Sequence, residues 1–171
     1  MTMRTILTLF VCLSLPAVNL PDLSAVTHEG KTVKFGALSS GRTVALQFIF
    51  TDCPVACPLL GSLFQGIQKR LDGLPADRGP LLITVSVNPD RDTPAKLNAW
   101  RAKFKANSRW VALRLDKKSL SQLQRQLGEQ DGPPSAHSTD LFVFDKTGKL
   151  TARLTGLPSA DRVAEKLLGM E

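Results

Sequence analysis

Two runs of this chain are apolar along almost their whole length: "RTVALQFIF" (Arg42 to Phe50) and "LLITVSV" (Leu81 to Val87). A strand with one face in water alternates apolar and polar residues. A strand that is apolar throughout is covered on both sides, and that happens chiefly in parallel sheets flanked by helices. Between the two runs, Leu60, Leu63, Phe64, Ile67 and Leu71 recur at helical spacing, with Pro58 suited to a first helical turn. Strand, helix and strand in that order imply a crossover and a parallel pair.

The pattern continues on either side. Thr93-Pro94 reads as a cap followed by the first helical residue, and Leu97, Trp100 and Phe104 mark one face of that helix. "WVALRL" is a third strand, and Leu120, Leu123 and Leu127 mark a further helix. A hairpin around "HEGK" precedes the first run. After the third strand and its helix come a Gly/Pro-rich loop, "GEQDGPPSAHS", a second hairpin around Lys146-Thr147-Gly148, and a last helix from Ser159 to Leu168. The expected fold is α/β and thioredoxin-like: a mixed central sheet with helices on both faces and an N-terminal β-hairpin. With 171 residues and no linker rich enough to divide it, the chain is expected to form one domain over residues 18–171.

Residues 1–17 are set apart. Arg4 precedes an apolar stretch from Ile6 to Leu15, and Leu15-Pro16-Ala17 suits a cleavage site, which is the layout of a secretory signal peptide. Pro16 and Asn19 interrupt the run short of the roughly 20 residues a membrane span needs. Phe10-Val11 before Cys12 is a poor context for a lipid anchor. Export is therefore expected, to the periplasm if the source is bacterial, in a form near the membrane without spanning it. Losing residues 1–17 removes Arg4 and no acid, leaving a net charge of +6. The basic residues are scattered and form no strip, which argues against nucleic acid and for mild attraction to acidic partners or anionic lipid.

Without Cys12 the chain retains only Cys53 and Cys57, in "FTDCPVACP". Two cysteines are not a stapling framework, and a bridge across four residues closes too small a loop to add much stability. Cys53 should follow a buried strand, and Cys57 should sit at or just inside the next helix. The positive end of that helix favours a thiolate, and Pro54 and Pro58 stiffen the segment. Converging sulfurs make either a reversible disulfide or a soft two-sulfur claw, of the kind Cu(I) and zinc accept. Thioredoxin-type reductases use C-x-x-C, and this spacing is one residue wider. Two inert core cysteines are the plainer alternative.

A metal would need a third ligand. His28 lies in the first hairpin turn, where a solvated role is the natural reading. His137 lies in the loop before a strand, at the sheet end where ligand sites of α/β folds form. Cys53, Cys57 and His137 would suit one Cu(I) ion, and Cu(II) with an added oxygen or nitrogen. Three credible ligands are one short of a structural zinc site.

The sequence also resembles the Sco/SenC family of copper-binding assembly proteins, from about Leu20 to Leu168. "FIFTDCPVACP", "SVNPDRDTP" and "HSTDLFVFDKTGKL" are similar to that family's three motifs and occur in the same order. The resemblance implies copper held by Cys53, Cys57 and His137. It also implies help in assembling the dinuclear copper centre of cytochrome oxidase subunit II, with a thioredoxin-like reductant as a further partner. Some relatives act as thiol-disulfide reductases, and Cys53 and Cys57 would be the redox pair. Asn88 and Ala136 stand where the family usually has aspartate, which would alter copper affinity. Asp90, Arg91 and Asp92 read first as a turn leading into the helix entry at Thr93, and second as a border of the site.

Overall fold

The computed structural model describes residues 18–170, so the leader expected over residues 1–17, with Cys12, lies outside the described residues. Seven strands form one mixed sheet: β1 (Ser24–Thr27), β2 (Thr32–Lys34), β3 (Val44–Ile49), β4 (Leu81–Ser86), β5 (Trp110–Arg114), β6 (Leu141–Phe144) and β7 (Leu150–Leu154). Their order across the sheet is β2-β1-β5-β4-β3-β6-β7. β3, β4 and β5 run parallel, and every residue of β3 and β4 is buried, as their largely apolar character implies. β1 on one side and β6 on the other close the parallel centre with antiparallel pairs.

Helices cover both faces. α2 (Ala56–Arg70), α3 (Pro94–Lys103) and α5 (Ala160–Leu168) lie over one face, where Leu60, Phe64, Ile67, Trp100 and Leu167 meet Ala45, Ile49 and Leu82. α1 (Phe35–Ser39) and α4 (Lys117–Gln126) cover the other, where Phe35, Leu120 and Leu123 meet Leu46, Phe48 and Ile83. The alternation along β3 divides its residues between the two layers. An aromatic group of Phe64, Trp100, Phe104 and Trp110 fills the first face. It requires glycine at position 61 of α2, because a Cβ there would fall 2.3 Å from the Phe104 ring.

The caps match the sequence signals. Thr93 accepts a hydrogen bond from the Lys96 N–H, and Ser159 caps α5 through the Arg162 N–H. α2 begins two residues ahead of Pro58, which still leaves the proline in the first turn, where its missing N–H has no carbonyl to serve. Two short elements escaped the sequence reading, α1 and a single 3-10 turn over Pro134–Ala136. Both fall below the length at which a repeat of apolar residues can be recognised.

Register decides where function can sit. Val44 pairs with Leu81 and Ile49 with Ser86, so β3 and β4 end at the same level. β6 runs against β3 with Gln47 opposite Leu141, so the segment entering β6 arrives at the end from which β3 departs. The loops after β3, after β4 and before β6 therefore share one end of the sheet. They carry Cys53, the "NPDRD" turn and His137 respectively.

Candidate thiol and metal site

The chain leaves β3 through a tight turn in which the Cys53 N–H donates to the Phe50 carbonyl (3.2 Å). Cys57 is the second residue of α2. The residue preceding α2, Val55, offers no side-chain cap, and the Cys53 sulfur accepts from the Cys57 N–H at 3.3 Å instead. A free helix N–H thus points at sulfur, and the helix end adds its positive potential.

The two thiols differ sharply. Cys53 is partly exposed and Cys57 is fully buried, and both are unbridged. Burial alone would raise the Cys53 pKa. Hydrogen bonds from the Cys57 thiol and from the N–H groups of Cys57, Val55 and Ala56 outweigh it and hold the value below the ordinary thiol range. Cys57 is pushed up to about 12, first by burial, then by its bond to Cys53 and by the nearby Cys53 and Asp92 charges. Of Cys53 and Cys57, iodoacetamide near pH 8 is accordingly expected to modify only Cys53 in the native protein, and Cys57 only after unfolding. Equal labelling of both in the native protein would contradict this asymmetry. Since its folded pKa is raised, Cys57 supports the fold as a neutral thiol, and that support is lost as pH climbs from about 9 towards 12.

Asp92 is the site residue that the sequence reading undervalued. It is fully buried, and its carboxylate accepts from the Thr51 N–H (3.2 Å), the Thr51 hydroxyl (2.5 Å) and the Ser86 hydroxyl (2.5 Å). It therefore ties the end of β4 to the loop two residues ahead of Cys53. The turn reading also holds, since the Arg91 and Asp92 N–H groups both close onto the Asn88 carbonyl. The signal for Asp92 was the second half of "NPDRDTP", but only the shared level of β3 and β4 turns a helix-entry motif into a clamp on the cysteine loop. Asp52, at the surface of that loop, faces Arg91 (3.7 Å) and Lys96 (3.6 Å), exposed pairs of small energetic weight.

His137 follows the 3-10 turn, half-buried, with its ring edge-to-face against Phe50 at 6.0 Å between centroids. Burial lowers its pKa, while the Ser138 carbonyl and Glu129 act in the opposite sense; the net shift is downward. A neutral imidazole is the form that can ligate. Among the described residues, no three His, Cys, Asp or Glu side chains are close enough to hold one metal ion. The two sulfurs touch through a hydrogen bond, and His137 stands at the same sheet end with its ring against Phe50. As a donor set, two thiols and one imidazole suit a soft cation. Holding one ion would require the three donors to stand closer together than they do here.

His28 is elsewhere and less solvated than expected. It is half-buried alongside β5, taking the Ala112 N–H on Nδ1 (3.4 Å). Among the described residues no helix is long and apolar enough to cross a membrane.

The SCO1/SenC family model matches residues 20–170. The bovine "Protein SCO2 homolog, mitochondrial" is 29% identical over 164 residues, covering 88% of this chain and 59% of that protein. The chain thus spans little more than half the length of this relative. Among solved structures, yeast Sco1 with copper bound superposes with a TM-score of 0.75 at 16% identity, covering 90% of this chain and 88% of that one. BsSco, a member of the Sco family of cytochrome c oxidase assembly proteins in which a disulfide switch was identified, gives 0.77 at 20% identity, covering 90% and 94%. At such identities the likeness is one of fold.

Proposed function

Since the chain belongs to the SCO1/SenC family, we propose that it is an exported copper-binding chaperone acting in cytochrome oxidase assembly. Copper is its cargo. Cys53 and Cys57 supply two soft sulfur donors, and the imidazole of His137 supplies the third. The observation that carries this reading is the convergence of the cysteine and histidine loops at one end of the sheet, fixed by the β3–β6 register. Neighbours of the same fold include a copper-bound Sco1 and a member of a cytochrome c oxidase assembly family, which supports both the cargo and the process. A copper-accepting protein such as cytochrome oxidase subunit II would be the client, met on the outer side of an energy-transducing membrane.

The chain's own residues set the terms of exchange. Cys53, the more exposed and more acidic thiol, is the first to meet an incoming ion or a client's ligand. Cys57 is a neutral thiol before loading, so loading releases protons and is favoured by rising pH. A three-donor site can pass its ion on by ligand exchange without first unfolding.

The test is titration of the reduced protein with Cu(I) against a competing chelator. One ion per chain is expected, with affinity reduced at least 10- to 100-fold in His137→Ala, a loss no smaller than that of an outer-shell partner. An unchanged His137→Ala would sink the three-ligand reading.

A second reading is favoured by the unequal thiols. In a thiol-disulfide oxidoreductase the Cys53 thiolate attacks a partner disulfide, forming a mixed disulfide and releasing one partner thiolate. Cys57 then attacks the Cys53 sulfur, its proton passing to the departing partner sulfur, closes a Cys53–Cys57 disulfide and releases the second partner thiol. The partner gains two electrons, and a thioredoxin-like reductant would restore the pair. This activity would survive His137→Ala.

A further inference from the structure

The segment from Gly128 to Asp140 contains no strand and no α-helix, only the 3-10 turn at Pro134–Ala136. A loop of that length is held by what its residues bond to. Here an ion pair between a buried carboxylate and a partly exposed guanidinium does the holding. The Glu129 side chain is 1% exposed, and burying a carboxylate is costly unless every lone pair is used. Glu129 Oε1 accepts from the Arg153 guanidinium (2.8 Å) and the Ser138 hydroxyl (2.6 Å), and Oε2 accepts from the Ser138 N–H (2.8 Å).

Arg153 stands on β7, and its Nε donates to Asp140 at 2.6 Å. Its remaining donors reach the carbonyls of Leu127 and Gly128, and its plane lies 5.3 Å from the centre of the Phe142 ring. One guanidinium therefore fastens both ends of the loop, Gly128-Glu129 and Asp140, to the sheet. Ser138 is the third fixed point, and it is adjacent to His137.

Ser138 also touches the imidazole. His137 Nδ1 lies 2.7 Å from the Ser138 carbonyl oxygen. A carbonyl can only accept, so the bond requires the proton on Nδ1, which leaves Nε2 as the ring's one lone-pair donor.

We propose that Glu129 and Arg153 are positioning residues for His137: the buried Glu129 carboxylate, paired with Arg153, fixes Ser138, whose carbonyl holds the imidazole as the Nδ1–H tautomer with Nε2 free to ligate. The consequence for metal binding rests on the reading of His137 as a copper ligand. The consequence for the tautomer does not.

The experiment uses full-length protein carrying Glu129→Gln, Arg153→Lys or Ser138→Ala. In the metal-free state the 15N chemical shifts of His137 report which ring nitrogen carries the proton. Wild type is expected to show the Nδ1–H form, and Glu129→Gln a mixture with the Nε2–H form. Cu(I) affinity, measured by competition, is expected to fall 10- to 100-fold in Glu129→Gln, the scale of outer-shell partners, while Cys53 alkylation keeps its wild-type rate. A folded Glu129→Gln with wild-type His137 shifts overturns the proposal. Should that variant not fold, Ser138→Ala decides: it removes one of the three bonds to Glu129, and unchanged shifts there overturn the proposal equally. If the tautomer responds but copper affinity ignores both Glu129→Gln and His137→Ala, the positioning device stands and the ligand role of His137 falls.

Discussion

Replacing Cys53 by serine is expected to remove copper binding and disulfide reduction together. The Cys53 sulfur is the more exposed of the two soft donors, it accepts the Cys57 N–H at the start of α2, and it is the thiol held in the more acidic state. A serine hydroxyl keeps the hydrogen bond and loses the soft ligand. Cu(I) affinity should therefore fall by well over the roughly 100-fold that loss of an outer-shell partner costs, with little change in melting temperature. The paired change, Cys57→Ser, separates the functions. It should also abolish tight copper binding, yet leave Cys53 able to form a mixed disulfide that no second thiol resolves. Chelator competition reads the first effect, and trapping with a small disulfide reads the second. Retention of tight copper binding by Cys53→Ser would mean that the cysteine pair is not the metal site.

The second large effect falls on stability. Asp92→Ala would strand the Thr51 N–H, the Thr51 hydroxyl and the Ser86 hydroxyl around a fully buried position. Each stranded group costs about 1–3 kcal/mol, and since the three share one carboxylate the total should be about 3–5 kcal/mol rather than their sum. For a domain of this size that corresponds to a fall of roughly 10 °C in melting temperature, a large share of a typical margin. Thermal denaturation followed by circular dichroism measures it. The loosened Thr51 should also free the Cys53 loop, so native alkylation should lose its preference for Cys53. A variant that melts within 2 °C of wild type, by the ~2–4 °C per kcal/mol rule for this size, would show the clamp to be unimportant.

Much of this architecture was legible in the sequence because β3 and β4 are buried on both faces and say so in all but Gln47, Thr84 and Ser86. The helix entries at Thr93 and Ser159 were legible for a similar reason, since capping chemistry is local. Cys53 and Cys57 stood out through spacing and prolines. What could not be read was pairing between distant segments. Asp92 looks like part of a turn until the β3–β4 register sets it against Thr51. Glu129 looks like one more acid in a polar loop until Arg153 arrives from β7, 24 residues on. His28 was read as solvated because its own turn is polar, whereas β5, which half-covers it, lies more than 80 residues away. In each case the missing information was long-range, and the local residue types were ordinary.

Cys53 and Cys57 lie on adjacent turns of the sequence, but His137 is 80 residues beyond Cys57 and reaches their end of the sheet only through the β3–β6 pairing. An unfolded chain therefore still offers a soft cation two cysteines four residues apart, and the histidine joins only once the sheet exists. A ligand stabilises a fold only by the difference in its affinity for the two states. On the proposed three-ligand reading, the rise in melting temperature on adding Cu(I) would then report only what the fold adds to a bare cysteine pair: the histidine, less the cost of deprotonating the buried Cys57.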